Sequence, residues 1–449
     1  MTSAPHRAVT DLLPQLHADL ERLVRIPSIA FPGFPDEPLF EAHDAVVDLL
    51  HASGVEEVGD ITLEGKRAPV VVADIAGPEG APTVLMYTHY DVVPAGDESL
   101  WQTPPFEPVV RDGAMYGRGT SDSKANLVAI IGAVRAFEGH PPVHLRLVFE
   151  GQEELGSPFD YFPQEEPEHF AGDAIVVADV GNVQPGKPTL TIGLRGDAAL
   201  TVGVRTLATD KHSGQYGGAA PDALLTLLHA LTSLHDEDGN VIVEGLRREP
   251  WTGASWTEEE FRTLAEILPG MPLLGTGTLG ERIWSGPAIT ITGIDVPSVT
   301  EAVAAVPAQA RARLNVRVHP QQPAREAQDA VVRHLEAQRP FGIALEIERG
   351  DVGDGYMPDT SGPAYQAAGR ALERAWGMPP VTMATGGAIP LVRSLAAAVP
   401  QAELLLFGTS DAYSNIHGPN ERVLLDEFEK SLMAKVAFLE EFAAQGGRR

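Results

Sequence analysis

Four apolar, strand-like runs in this chain each lead directly into residues of the kinds that bind metal ions. TVLMY leads into His89-Tyr90-Asp91, VHLRLVF into Glu153-Glu154, AIVVA into Asp179, and ELLLFG into a loop holding His417. A fifth acid, Asp122, stands just before a segment with the apolar spacing of an amphipathic helix. In open α/β sheets, ligand sites lie outside the carboxyl ends of the strands. Acids and histidines scattered at random would not fall at that one place repeatedly. The pattern predicts an α/β sheet with two histidines and several carboxylates at one edge, a donor set suited to two divalent ions.

The chain has 449 residues, which is long for one core and predicts two domains. Its net charge of −29 argues against a nucleic-acid partner, because phosphate neutralisation needs Lys and Arg. With no cysteine, disulfides, thiolate zinc sites and Cys nucleophiles are all removed, which fits a reducing compartment. The stretch around Leu12, Leu13, Leu16, Leu20 and Leu23 reads as an amphipathic helix, and Asp and Glu interrupt it, unlike the apolar core of a signal peptide. No apolar run is long enough to span a membrane. The expectation is a cytoplasmic protein with no membrane and no nucleic-acid partner.

Up to about residue 194, strand-like and helix-like segments alternate as in a doubly wound α/β layer. In the helix after Asp122, Leu127, Ile130, Ile131, Val134 and Phe137 fall on one face. From Gly196 the pattern changes. Leaving aside a middle stretch with Trp251, Trp256 and Trp284, the order is β-α-β-β-α-β, a ferredoxin-like signature. After about residue 353 the α/β character returns. The expected organisation is residues 1–194 and 353–449 as one discontinuous domain, with 195–352 inserted.

Taken singly, each polar residue has an ordinary structural explanation. His89 and Asp91, two apart at a strand end, share a face but would also fit a structural histidine and a turn acid. Asp122 would fit a helix cap. Glu153-Glu154 would fit a solvated acidic loop, although Gly151 and Gly156 bracket it and a strongly apolar run precedes it. Asp179 and His417 would fit turns. In the insert, His212 would cap a following helix, and Arg317 would be a solvated strand residue. Jointly, two histidines and three acids supply ligands for two metals with one carboxylate shared. No Ser-His-Asp elbow, Walker loop or dinucleotide glycine fingerprint competes with that reading.

The stretches THYDVVP, YGRGTSDSKANL, FEGQEELGS, VADVGN, GLRG, DKHSGQYGG, GGAIP and NIHGPNE span almost the whole chain. In that order they resemble the di-metal exopeptidases that include carnosinase-type dipeptidases, glutamate carboxypeptidase, aminoacylase and succinyl-diaminopimelate desuccinylase, with most likeness to the dipeptidase branch. The resemblance implies a zinc-exopeptidase-like catalytic domain with a ferredoxin-like α+β lid and dimerisation domain. It implies that His89, Asp122 and Asp179 hold one metal and that Asp122, Glu154 and His417 hold the other. Asp91 would orient His89, and Glu153 would be the general base acting on the bridging water. The Asp122-Ser123 peptide would be cis. His212 would reach the partner subunit's site to stabilise the oxyanion. Arg317 would bind the substrate carboxylate, and Gly387 and Ala388 would contact substrate. In two places the chain departs from the family: Thr88 stands where Gly commonly precedes the first metal histidine, and Ala388 where a Ser is frequent.

The reading is therefore a cytoplasmic, homodimeric metallo-exopeptidase that hydrolyses dipeptides with two divalent ions per subunit, zinc first, with manganese or cobalt as alternatives. An N-acyl-amino-acid deacylase with the same centre is the nearer alternative. A metal-binding protein without catalysis is the alternative of another class.

Overall fold

A computed structural model of the chain describes residues 4–65, 67–387 and 389–446. Along the chain run α1 (Ala4–Val24), α2 (Glu37–Ala52), β1 (Val58–Ile61), β2 (Val70–Ile75), β3 (Thr83–His89), α3 (Lys124–Ala136), β4 (His144–Glu150) and β5 (Ala174–Val177). They are followed by β6 (Gly196–Arg205), α4 (Ala223–Thr232), β7 (Ala288–Asp295), β8 (Gln309–Val318), α5 (Ala324–Gln338) and β9 (Glu346–Gly353). Last come α6 (Pro363–Trp376), β10 (Glu403–Leu406) and α7 (Leu425–Gln445). The chain divides into two compact units. One comprises Met1–Ile192, Pro358–Met383 and Pro390–Arg449, and the other Gly193–Met357 and Ala384–Ile389.

In the first unit a six-stranded sheet has the order β1-β2-β4-β3-β5-β10. β4, β3, β5 and β10 are parallel, while β1 and β2 run antiparallel at one side. The parallel strands are apolar on both faces. Val84 and Met86 join the core formed with α1, α2, α3, α6 and α7, while Leu85 and Tyr87, which point the other way, are buried as well. Burial on both faces is what a parallel sheet requires, and it explains why these strands read as continuous apolar runs rather than alternating ones. The structure corrects one expectation. α3 is buried from Lys124 to Val134 rather than on one stripe, because it packs against both α1 and α7.

The second unit is an antiparallel sheet of order β7-β8-β6-β9. Numbering its strands along the chain gives 2-3-1-4, the ferredoxin-like arrangement that the β-α-β-β-α-β order predicts. Alternation is strict on β8, where Ala310, Ala312, Leu314, Val316 and Val318 face the core with α4 and α5. α4 starts at Asp222, whose carboxylate accepts from Leu225 N at 2.9 Å. The middle stretch forms a cluster of its own: the Trp284 ring lies 5.3 Å from both Trp251 and Trp256.

Candidate metal centre

Because β3, β4 and β5 are parallel, their carboxyl ends open on one edge. His89 is the last residue of β3, Glu153-Glu154 follow the end of β4, and Asp179 follows β5. Asp122 arrives on the loop before α3, and His417 on the loop after β10. The structure brings all six to one place.

On one side, His89 Nε2 lies 3.0 Å from Asp122 Oδ1 and 3.2 Å from Asp179 Oδ1. The ring has no exposed surface. Its Nδ1 sits 3.1 Å from the Asp91 carbonyl oxygen and 3.4 Å from the Asp91 carboxylate. The hydrogen bond at that end of the ring is to the Asp91 carbonyl, while the Asp91 side chain has other partners. It accepts from Glu153 N at 3.0 Å and Glu154 N at 3.2 Å, and so shapes the turn that carries both acids. Thr88 adds a buried hydroxyl 2.7 Å from Ser123 Oγ that also donates to Ala178 O at 3.1 Å. The residues beside His89, Asp122 and Asp179 are thereby tied together.

On the other side, His417 Nε2 lies 3.1 Å from Asp122 Oδ2 and 3.0 Å from Glu154 Oε2. Asp122 thus turns one oxygen to each histidine. It does not cap α3: the residue at the cap is Ser123, and no side chain there accepts from the helix. The Asp122-Ser123 peptide is cis. Donor atoms of His89, Asp122 and Glu154 lie within 4.8 Å of one another, as do those of His89, Glu153 and Asp179. The direct 3.0–3.2 Å contacts group the donors differently, His89 with Asp122 and Asp179, and His417 with Asp122 and Glu154.

Electrostatics here are set by too many acids for the protein's own cations. Burial would lower His89, but Asp179, Asp122 and Asp91 hold it well above the usual histidine range. His417 is pushed up to about 10 by its bonds to Asp122 and Glu154. Burial would raise Asp122, but the two histidines hold it well below the usual carboxylate range. Burial and Asp122 push Glu154 up to about 7. Burial, with Asp179 and Glu154 beside it, raises Glu153 well above its ordinary value, and burial raises Asp179.

Two features fit this set to metal ions. Each histidine Nε2 carries at most one hydrogen, yet each faces oxygens of two different carboxylates. Glu154 Oε1 is buried with no hydrogen-bond partner, which is costly unless something positive meets it. Imidazole and carboxylate donors of this kind suit zinc, manganese or cobalt.

The pattern of Peptidase family M20/M25/M40 matches residues 85–444. The chain belongs to that family. It is a metallopeptidase, a hydrolase, and the cluster at the sheet edge is its candidate metal site. This M20 peptidase is 38% identical over 399 residues to the cysteinylglycine-S-conjugate dipeptidase of Corynebacterium striatum, covering 86% of this chain and 87% of that one. Among solved structures it resembles the dipeptidase Dug1p of Saccharomyces cerevisiae, with a TM-score of 0.79, 25% identity and 98% of both chains covered. It resembles human carnosine dipeptidase 1 to the same extent: TM-score 0.79, 25% identity, 98% of both chains.

The remaining predicted residues of this peptidase belong to the second unit. His212 is exposed on a short strand paired with Ala305–Val306. Its Nδ1 accepts from Gly214 N at 3.1 Å, the capping role open to it from sequence, and this places the proton of the neutral ring on Nε2. Arg317 is half-buried on β8, with Asp197 and Ala288 as its neighbours across the sheet. Buried Arg195 supports that strand by donating to the Arg317 carbonyl at 3.3 Å and to those of Ile283 and Gly286. A Cβ added at Gly387 would meet no atom within 4 Å. Ala388 lies outside the described residues.

Sequence reasoning missed Arg118 and Glu421, which flank the Asp122 and His417 segments. The signal available was an acid inside NIHGPNE, four residues after His417, with no metal role to fill.

Proposed function

We propose that this M20 peptidase hydrolyses dipeptides, with His89, Asp122 and Asp179 holding one divalent ion and Asp122, Glu154 and His417 holding the other. One observation carries the metal reading: the two oxygens of Asp122 lie 3.0 and 3.1 Å from two different histidines. The dipeptidase relative and the two dipeptidase structures support the substrate class. When bound, a pair of divalent ions polarises a carbonyl oxygen and makes water more acidic.

The chain's own residues supply the rest. Asp91 presents Glu153 at the same edge. Glu153 takes a proton from the attacking water and returns it to the leaving amine. Its burial among acids raises its proton affinity, which suits a group that must accept that proton. His212, with its proton on Nε2, donates to the carbonyl oxygen as that oxygen gains negative charge. Arg317 forks onto the substrate's terminal carboxylate, and Gly387 and Ala388 contact the substrate. Residues 195–352 serve as lid and dimerisation domain, so that His212 acts in the partner's site of a homodimer. Zinc is the proposed ion. A cytoplasmic location fits the absence of cysteine, and among the described residues no helix is long and apolar enough to cross a membrane.

A substrate panel tests the reading, with Zn²⁺ or Mn²⁺ added to free dipeptides, C-terminally amidated dipeptides and N-acetyl amino acids. Free dipeptides should be cleaved and their amides poorly, and Arg317→Ala should lose most of kcat/KM on the free acid alone. Preference for N-acetyl amino acids would replace this reading with a deacylase. For His212, inactive Glu153→Gln protein is mixed with inactive His212→Ala protein. Exchanged dimers hold one site with an intact base and an intact partner histidine, so part of the activity should return.

A further inference from the structure

Glu421 is fully buried, four positions beyond His417. One of its oxygens accepts from Arg118 Nη1 at 2.7 Å and Gly119 N at 2.9 Å. The other accepts from Ser121 N at 2.8 Å and Asp122 N at 3.0 Å. Arg118 in turn donates from Nη2 to Gly418 O at 3.1 Å, beside His417. Three backbone N–H groups and a guanidinium converging on one site make an anion cradle. Here the anion is the chain's own side chain, and one of the amides it holds belongs to Asp122.

The base of Glu421 is fixed as well. Gly117 N donates to Glu421 O at 3.0 Å, and Arg422 N to Ser414 O at 3.0 Å, closing the loop that carries His417. Within that loop Asn415, His417 and Asn420 all have left-handed backbone, with φ of 54°, 62° and 60°. Such residues hold their conformation only where surrounding structure determines it. A buried ion pair adds little net stability compared with apolar packing. What it supplies here is a fixed spacing between two segments about 300 residues apart in sequence.

We propose that Glu421 is a positioning residue for the divalent-ion site: its carboxylate sets the spacing between Asp122 and His417, and thereby the affinity for the ion those two residues share. Both Glu421 oxygens are taken up by these donors, so it acts through the Asp122 and His417 segments. The inference rests on the metal reading above, and its test separates the two.

Metal-free protein is titrated with Zn²⁺ by calorimetry, with thermal unfolding as the check on folding. Wild type should take up two ions, and His417→Ala should lose one of them. Glu421→Gln keeps the side chain's shape but turns amide hydrogens toward two of the donors. It should weaken the ion lost in His417→Ala by about 10–100-fold, the usual cost of losing a supporting partner of a metal ligand, and leave the other ion little changed. Glu421→Asp, which keeps the charge on a shorter stem, should fall between. The wild type supplies a check that needs no variant: in metal-free protein the Gly119, Ser121 and Asp122 amides should exchange with solvent as slowly as those of α3. Three results overturn the proposal: unchanged zinc affinity in folded Glu421→Gln, equal weakening of both ions, or fast exchange of those amides. Two overturn the metal reading instead: a wild type that binds no zinc, or His417→Ala binding two ions as tightly as wild type.

Discussion

The two histidines that meet Asp122 are held by opposite means. His89 ends a central strand with ladder partners on both sides, and its ring has no exposed surface. His417 sits on a loop, with left-handed backbone and a side chain 56% exposed. Yet their Nε2 atoms reach Asp122 at 3.0 and 3.1 Å. A strand end inherits its position from the hydrogen bonds of the sheet. A loop has no ladder, and here the buried Glu421 carboxylate takes its place. The comparison teaches that an exposed side chain can be as well placed as a buried one when the restraint lies beneath it.

The largest expected effect concerns the buried side. Glu153 falls in the same donor group as His89 and Asp179. Glu153→Gln should keep both ions and lower kcat by about 10²–10⁴-fold, the range for a general base, as read by steady-state kinetics beside metal analysis. A fully active variant removes Glu153 from the mechanism.

Removing the histidines tests the comparison itself. His89→Ala leaves Asp122 and Asp179 without their buried cation and should cost metal-free protein about 3–5 kcal/mol, as for breaking a buried pair. His417→Ala removes a half-exposed ring whose charge solvent partly screens, and should cost less than His89→Ala. Denaturant unfolding of both metal-free variants measures this directly, and equal losses would break the contrast. The smallest effect sharpens it. Thr88→Val deletes one hydroxyl on the His89 side while Ser123 keeps Ala178 O and Asn126 as partners. The loss should be about 1 kcal/mol, the worth of one hydrogen bond, with both ions retained. A larger loss, or a lost ion, would mean that the buried side depends on its neighbours as much as the loop depends on Glu421.

Much of this site is legible in the chain. Apolar runs ending in His89, Glu153-Glu154 and Asp179 predict their meeting at one edge, and parallel pairing brings it about. The alternation along β8 and the order of elements around it predict the ferredoxin-like unit. Other features cannot be read from single residues. Asp122 looks like a helix cap in isolation, but its carboxylate faces two histidines. Asp91 reads as the orienter of His89, but its carboxylate also carries the amides of the Glu153-Glu154 turn, 62 and 63 residues away. The spread of burial around α3 depends on α1 and α7, which lie at the two ends of the chain.

The sequence by itself determined which candidate donors this peptidase has and that His89, Glu153-Glu154 and Asp179 stand at strand ends, because strand and helix periods are local and can be read from neighbouring residues. Only the tertiary structure decided how those donors are held. Glu421 bonds amides 299 to 302 residues earlier in the chain. A carboxylate accepts from whichever N–H groups arrive beside it, and which ones arrive is settled by the packing of the whole unit rather than by any local pattern.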